Sequence, residues 1–550
     1  MQIQKITDKY SVSEQIEAAD IDELISEKVE IIICNRPDNE SSQQTTFDEI
    51  KDAAEAKGIK AVNIAFSAGT LTKSQILELG DLLKTGKKIH AYCRTGNRST
   101  IIWQEALKLD IDKKKLEGLQ KTKSPDKLLQ KENEKKHTTS VAKPIYDVVI
   151  VGAGSGGISA AASLLKRRTP LRIALIDPAT DHYYQPGWTM VGGGVFEAVS
   201  TKRQMKNLIP RNTTWIQQAV TAFDAENNKV ILDDQQEVFY KQLIVAPGLK
   251  INWDSIEGLQ DTLGKNGVTS NYRFDLAPYT WKLVNELKKG KAIFTQPPMP
   301  IKCAGAPQKA MYLSADYWFK NNRIKDIDIN FYNAGGVLFG VNDYVPALES
   351  YVKKYDSKLH FSHTLTKIDG PNKKAFFSFN DEKGNDVTVE SDFDMIHVCP
   401  PQCAPDFVAQ SSLSDAAGWL DVDQETLQSK RYKNVWGLGD VMNAPNAKTM
   451  AAVRKQVPVV AQNIIDAFDG RSPTVIYDGY GSCPLTVERG KIVLAEFGYG
   501  GKLLPTFPKW LNDGTKPTKL AWFLKASVLP WVYWKGMLKG HEWLVAPQKK

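Results

Sequence analysis

The chain has little cysteine: six residues in 550, at Cys34, Cys93, Cys303, Cys399, Cys403 and Cys483. That density excludes a disulfide-stapled scaffold and leaves the thiols available for chemistry. The N-terminus, MQIQKITDKYSVSEQ, contains no apolar core of signal-peptide length, which predicts a cytoplasmic protein. No repeat of solenoid period is present. The net charge is +8, yet there is no arginine stripe interleaved with aromatics. Much of the basic excess lies instead in a lysine-rich connector and near the C-terminus, so nucleic-acid binding is not expected. Hydrophobic residues at 42% and charged residues at 24% are ordinary globular usage. The length predicts about two to four cores.

Residues 1–108 read as a small α/β domain, with strand-like runs VEIIIC (Val29 to Cys34) and KAVNIAF (Lys60 to Phe66) between charged helical segments. Residues 109–143 are rich in lysine and glutamate and nearly free of aromatics, as a solvated tether or a loose exposed helix would be. Strands and helices then alternate over 144–470 in the manner of a doubly wound protein, with a second lobe at about 280–400. Residues 471–550 form a C-terminal region.

Strand Asp147 to Val151 runs into Gly152-Ala153-Gly154-Ser155-Gly156-Gly157 and an alanine-rich helix. Gly152 permits the tight turn, Gly154 lets a pyrophosphate approach, and Gly157 lets helix and strand pack closely. Asp177 closes the next strand, RIALID, where a carboxylate accepts from a ribose hydroxyl. LIVAPG (Leu243 to Gly248) and NVWGLGD (Asn434 to Asp440) follow in the order of an FAD protein. Gly439-Asp440 presents a carboxylate to the ribityl chain, and Lys448 is placed to stabilise charge on a reduced flavin.

A second glycine fingerprint is missing. After strand AIFTQ (Ala292 to Gln296) the phosphate-loop position holds Cys303-Ala304-Gly305-Ala306-Pro307, and strand DINFYNAGG carries Asn333 where a ribose-binding acid belongs. Nicotinamide binding is therefore not expected in this lobe. Pro307 suits the first turn of a helix. Cys303 lies just ahead of that helix, beside Lys302 and one turn from Lys309, so dipole and lysines favour a reactive thiolate.

These residues resemble the sulfide:quinone oxidoreductases of mitochondria and many bacteria. The strings that carry the resemblance are HYYQPGWTMVGGG (His182 to Gly194), IKCAGAPQKAMYLS (Ile301 to Ser314), DAAGWLDVDQETLQ (Asp415 to Gln428) and YDGYGSCPL (Tyr477 to Leu485). It implies two Rossmann-type lobes of the flavoprotein disulfide reductase fold, with Cys303 and Cys483 as the redox pair. FAD contacts carried over by position are Gly152, Gly154, Gly157, Asp177, Gln185, Val220, Lys309, Asp440 and Lys448. The implied partners are sulfide, a membrane quinone, and a small sulfur acceptor such as glutathione, sulfite or sulfide. No metal is expected: Cys399 and Cys403 lack further ligands and read as incidental thiols. The competing readings are an NADH:quinone oxidoreductase and a flavin redox sensor without turnover.

In the tail, Lys519 to Gly540, Trp522, Phe523, Trp531, Tyr533 and Trp534 are crowded together. Lys525, Pro530 and Lys535 interrupt the run, so no span of about 20 apolar residues exists. An amphipathic segment lying in the headgroup interface is predicted, on the cytoplasmic face of a membrane.

In the N-terminal domain, AYCRTGNRST (Ala91 to Thr100) places Cys93 at the base of an anion-cradling loop with Arg94 and Arg98. Four residues separate Cys93 from Arg98, a spacing closer to a rhodanese than to a tyrosine phosphatase. With YSVSEQ and NRPDNE (Asn35 to Glu40), the domain resembles phosphatase-like domains fused to sulfide-oxidation proteins. Sulfur transfer, phosphatase activity with Asp38 as general acid, and non-catalytic binding all remain open. In the first, Cys93 accepts sulfane sulfur made at Cys303, directly or through a small thiol.

Overall fold

The computed structural model describes residues 3–38, 40, 44–66, 71, 73–94, 96, 98–103, 106–107 and 145–550. The tether expected at 109–143 lies outside the described residues, as do Thr95 and Asn97 of the Cys93 loop. The chain divides into two compact units, Met1–Thr138 and Thr139–Lys550.

In the first unit β1 (Gln4–Lys5), β2 (Tyr10–Ser13), β3 (Ile31–Cys34), β4 (Lys60–Asn63) and β5 (Ile89–Tyr92) form one sheet in the order β1-β2-β5-β3-β4. All its pairings except β1–β2 are parallel. Strands buried on both faces read as near-continuous apolar runs, which explains IIIC and IHAY. Two apolar clusters cover the sheet, one around Ile31, Ile33, Leu79 and Ile102, the other around Ile21, Ile32 and Ile50. The Cys93 loop leaves the end of central strand β5, where parallel α/β sheets place their ligands.

The second unit holds a mixed sheet, antiparallel along one edge, and a wholly parallel one. Strands β6 (Ile145–Val151), β7 (Ile173–Ile176), β8 (Thr213–Ile216), β9 (Val220–Asp224), β10 (Lys229–Leu232) and β11 (Glu237–Val245) lie in the order β8-β7-β6-β11-β10-β9. Helix α1 (Ser155–Arg167) follows β6 directly. The other sheet uses β12 (Val268–Thr269), β13 (Gly290–Gln296), β14 (Ile327–Asn333), β15 (Lys358–Phe361) and β16 (Met395–His397), ordered β12-β16-β13-β14-β15. Helix α2 (Ala306–Lys320) follows β13 after the Cys303 loop. Strand β17 (Val435–Gly437) then returns to pair with β11. The chain ends with helix α3 (Met450–Phe468), the hairpin β18 (Gly481–Glu488) and β19 (Lys491–Phe497), and a tail of short helical segments from Lys519 to Lys539.

The tail departs from the expectation of a segment lying wholly in an interface. Tyr533 and Trp534 are buried in the main core beside His182 and Tyr184. The Tyr533 hydroxyl bonds His182 Nε2 at 2.5 Å and Ser155 Oγ at 2.8 Å, so the ring is buried with its polar tip satisfied. Phe523 and Trp531 face outward. Among the described residues no helix is long and apolar enough to cross a membrane.

Candidate active site

The glycine turn after β6 has the shape its sequence predicts. Gly152 adopts φ +100°, and a Cβ there would meet the Ala246 carbonyl oxygen at 2.4 Å. A Cβ at Gly157 would lie 1.8 Å from the Gly152 carbonyl oxygen. At Gly154 a Cβ meets nothing within 4 Å, and no side chain caps the helix that starts there. Open space above an uncapped helix N-terminus is a phosphate cradle. Asp177 accepts the amides of Ala153 at 2.7 Å and Ala179 at 2.8 Å, which fixes its carboxylate at the mouth of the turn. Val220 is buried at the start of β9, and Gly439, at φ +83°, donates its amide to Gln456 Oε1 at 3.0 Å.

Lys448 reaches inward rather than into open space. Its ammonium donates to the carbonyls of Asp440 (2.8 Å) and Met442 (2.7 Å) and lies 4.0 Å above the Trp419 ring. Burial lowers it to about 8. Asp440 pairs at 3.2 Å with Lys302, which also contacts the Gln185 side chain. The expectation that Lys302 supports the Cys303 thiolate is therefore corrected: Asp440 and Gln185 draw its ammonium away.

The Cys303 and Cys483 sulfurs lie 3.8 Å apart. Cys303 is partly exposed to a cavity of about 390 Å³, and Cys483 is fully buried beneath it. Lys309 Nζ stands 3.0 Å from Cys303 Sγ. The contact with Cys483, and then the Lys309 charge, hold Cys303 well below the usual thiol range, while the same contact and burial push Cys483 up. In the reduced pair Cys303 carries the negative charge. The Lys309 charge is itself favoured, because the two sulfurs outweigh its burial.

A second ammonium comes from the tail. Lys525, 4% exposed, lines the same cavity and donates to the Pro186 carbonyl at 3.0 Å. Burial and the neighbouring Lys309 lower it to about 7. The sequence reading saw Lys525 only as a break in an apolar run. A single lysine between Phe523-Leu524 and Ala526 was the available signal. Asn333, in the place of a ribose-binding acid, folds its own turn by accepting the Gly335 amide at 2.8 Å and donating to the Val337 carbonyl at 2.9 Å.

Cys399 and Cys403 belong to no cluster of metal-binding side chains among the described residues. Cys399 is buried, which pushes its thiol up to about 12 and makes it a poor nucleophile.

In the first unit Cys93 is buried at the end of β5, its amide 3.4 Å from the Ser13 carbonyl oxygen. Arg98 grips the Glu40 carboxylate with two bonds of 2.7 Å each, and Arg36 Nε approaches the same carboxylate at 3.1 Å. A bidentate fork of this kind is the geometry by which arginine binds oxyanions. Asp38 accepts the Phe47 amide at 2.9 Å. The acid set against Arg98 is Glu40, which the sequence reading passed over.

Comparison with known proteins places both units. Residues 2–108 match the family described as beta-lactamase hydrolase-like protein, phosphatase-like domain, and residues 146–284 match pyridine nucleotide-disulphide oxidoreductase. The chain is 40% identical over 431 residues to a mitochondrial sulfide:quinone oxidoreductase of Dictyostelium discoideum, covering 76% of this chain and 93% of that protein. The Mus musculus protein of the same name is 37% identical over 400 residues, with 73% and 88% covered. The solved sulfide:quinone oxidoreductase of Aquifex aeolicus superposes with a TM-score of 0.60 at 19% identity, over 72% of this chain and 92% of that one, and shares the fold.

Proposed function

Since the chain belongs to the sulfide:quinone oxidoreductase family, we propose that it oxidises sulfide at Cys303 and Cys483 and passes the electron pair through FAD to a membrane quinone. The observation that carries this reading is the sulfur pair, 3.8 Å apart, standing where a second nucleotide loop would be. The residues suit FAD: the open cradle at Gly154 and the fixed carboxylate of Asp177 would hold its diphosphate and ribose. Gln185, Lys309 and Lys448 line the cavity where its ring would sit. Bound FAD would supply the carrier that takes the electron pair from the reduced cysteines and passes it to quinone.

The starting pair is a disulfide. Hydrosulfide forms an S–S bond to one sulfur, the Cys303–Cys483 bond breaks, and the other sulfur leaves as thiolate. The better-stabilised thiolate leaves faster. Lys309 and Lys525 favour Cys303 as that leaving group, so Cys483 keeps the new sulfur as a persulfide. A small nucleophile such as sulfite, glutathione or sulfide then takes it, and two electrons remain to pass on. This relocates the sulfane sulfur from Cys303, where the sequence reading set it, to Cys483.

Membrane attachment rests on the outward apolar side chains Trp510 (84% exposed), Leu544 (76%), Phe523 and Trp531 (56% each). Aromatics of this kind sit at headgroup depth, which supports peripheral docking on a membrane surface, in our reading the cytoplasmic one. For the first unit, the Arg98 fork and the Cys93 thiol support sulfane-sulfur transfer involving an oxyanion such as sulfite or thiosulfate. The test of the main reading is sulfide-dependent quinone reduction by the purified protein, with persulfide mapped by mass spectrometry during turnover. Expected are quinol formation and one extra sulfur on Cys483; no quinol, or extra sulfur confined to Cys399 or Cys403, overturns it.

A further inference from the structure

The hairpin that carries Cys483 has two faces. Cys483, Leu485 and Val487 of β18 pack into one core with Val493 and Ala495 of β19. The alternate positions Ser482, Pro484, Leu494 and Glu496 line the cavity instead, as the two-residue period of a strand requires. Opposite them stand Phe507, Ala521, Leu524, Val528 and Leu529, largely from the tail. One face of the hairpin thus packs on the core around Cys483, and the other, with the tail, forms the apolar wall of the cavity into which Cys303 opens, a wall suited to a quinone.

Glu496 is the one carboxylate among the described residues lining that cavity. It is 4% exposed and is cross-strand partner to Ser482. It accepts the Tyr480 hydroxyl at 2.6 Å, the Thr506 amide at 3.1 Å and the Thr506 hydroxyl. Tyr480 and Arg454 line the cavity too, and Arg454 Nε is buried without a partner. Lys455 lies 5.0 Å above the Tyr480 ring, and the Tyr344 hydroxyl donates to the Glu496 carbonyl at 3.0 Å. Thr506 reaches the surface, so the network runs from solvent to the cavity wall. A buried carboxylate is costly, and packing an apolar compartment does not call for one.

Quinone reduction takes two electrons and two protons. Of the cations lining the cavity, Lys448 and Lys525 are tied to backbone carbonyls and Lys309 to Cys303, whereas Glu496 is joined through Thr506 to the surface. Resting on the quinone reading above, we infer that Glu496 is the acid that protonates the quinone, with Tyr480 and Thr506 as its positioning residues. As the electron pair arrives, an O–H bond forms at a quinone oxygen and the Glu496 O–H bond breaks. The other proton travels with the electron pair from the sulfur side. The carboxylate left behind regains its proton from water through the Thr506 end.

The test compares Glu496→Gln with wild type, both loaded with flavin, by rapid mixing. Sulfide bleaching is expected to be the same in both, and reoxidation by a short-chain quinone slower in the variant by on the order of a hundredfold. Reoxidation by ferricyanide, which takes electrons without protons, is expected to be unchanged. In Glu496→Ala, added acetate is expected to restore part of the quinone rate. Infrared difference spectra on quinone binding and reduction supply a readout independent of turnover: wild type shows a carboxylic-acid band that Glu496→Gln lacks. Equal slowing toward quinone and ferricyanide would show a structural role and overturn the inference, as would an unchanged quinone rate in Glu496→Gln. A wild-type protein that sulfide bleaches and quinone fails to reoxidise overturns the quinone reading itself.

Discussion

Cys303 sits at φ +52°, a left-handed conformation that costs a residue with a side chain about 1–3 kcal/mol. Its amide on the Lys448 carbonyl, 2.9 Å away, and its carbonyl on the Ala306 amide, at 2.7 Å, hold it there. The reward for this strain is a sulfur aimed at both Cys483 and Lys309. Replacing either cysteine by serine is expected to lower sulfide-dependent flavin bleaching by at least about a thousandfold with flavin still bound. Cys399→Ser is expected to change it less than about twofold, given that thiol's raised pKa. Anaerobic absorbance after sulfide addition checks both, and a Cys399 effect as large as that of Cys303 would contradict the choice of pair. Lys525, at about 7, is an ammonium below that pH and an amine above it. Its support for the Cys303 thiolate is therefore complete in acid and lost as pH rises through about 7. Lys525→Met should move the pH profile of Cys303 alkylation up by about one unit, measured by mass spectrometry on reduced protein; an unmoved profile would show that Lys309 suffices. The same burial costs stability in full below pH about 7, where both states are protonated, and the cost falls away as pH rises from about 7 to 10.5, where only the unfolded lysine holds the proton. Cys303, Lys309 and the glycines were legible because each serves chemistry beside its own turn. Lys525 and Glu496 were not, because they act on atoms brought close only by the folded tail and hairpin.

At the scale of elements, the tail is two things at once. Tyr533 ties it to Ser155 at the start of the phosphate-cradle helix, and Glu542 pairs with Arg167 of that helix at 2.6 Å. Phe523 and Trp531 point the other way. Tyr533→Phe deletes the hydroxyl that partners buried His182 and Ser155, at a cost of about 1–3 kcal/mol. It is expected to weaken flavin retention roughly tenfold or more, read by equilibrium dialysis, and equal retention would show that the contact is idle. Changing Trp510, Phe523, Trp531 and Leu544 together to serine should abolish sedimentation with lipid vesicles while sulfide still bleaches the flavin. Persistent sedimentation would place the membrane contact elsewhere. The sequence showed the aromatic density of the tail but not its division. Lysine interruptions at irregular spacing, together with a run of π-helical turns, hide which residues share a face.

Across the whole molecule, the dinucleotide lobe was legible from order alone, since strand, glycine turn, helix and acid recur at spacings that the fold imposes. The N-terminal unit was legible as an anion loop but not as a matched pair, because Glu40 meets Arg98 across 58 residues. If the unit transfers sulfur, thiosulfate–cyanide transfer is expected to vanish in Cys93→Ser and generic phosphatase activity to be absent from wild type. A Cys93-dependent phosphatase would reverse that assignment. The account as a whole turns on which reductant the second unit accepts, because Cys303 stands where a nicotinamide enzyme would keep its phosphate loop. Anaerobic titration of the flavin-loaded protein with sulfide, and separately with NADH, addresses this most directly. The account predicts bleaching of the flavin by about one equivalent of sulfide in the presence of sulfite, recovery of the colour on adding quinone, and no bleaching by NADH. Rapid bleaching by NADH, or a flavin indifferent to sulfide, would contradict it.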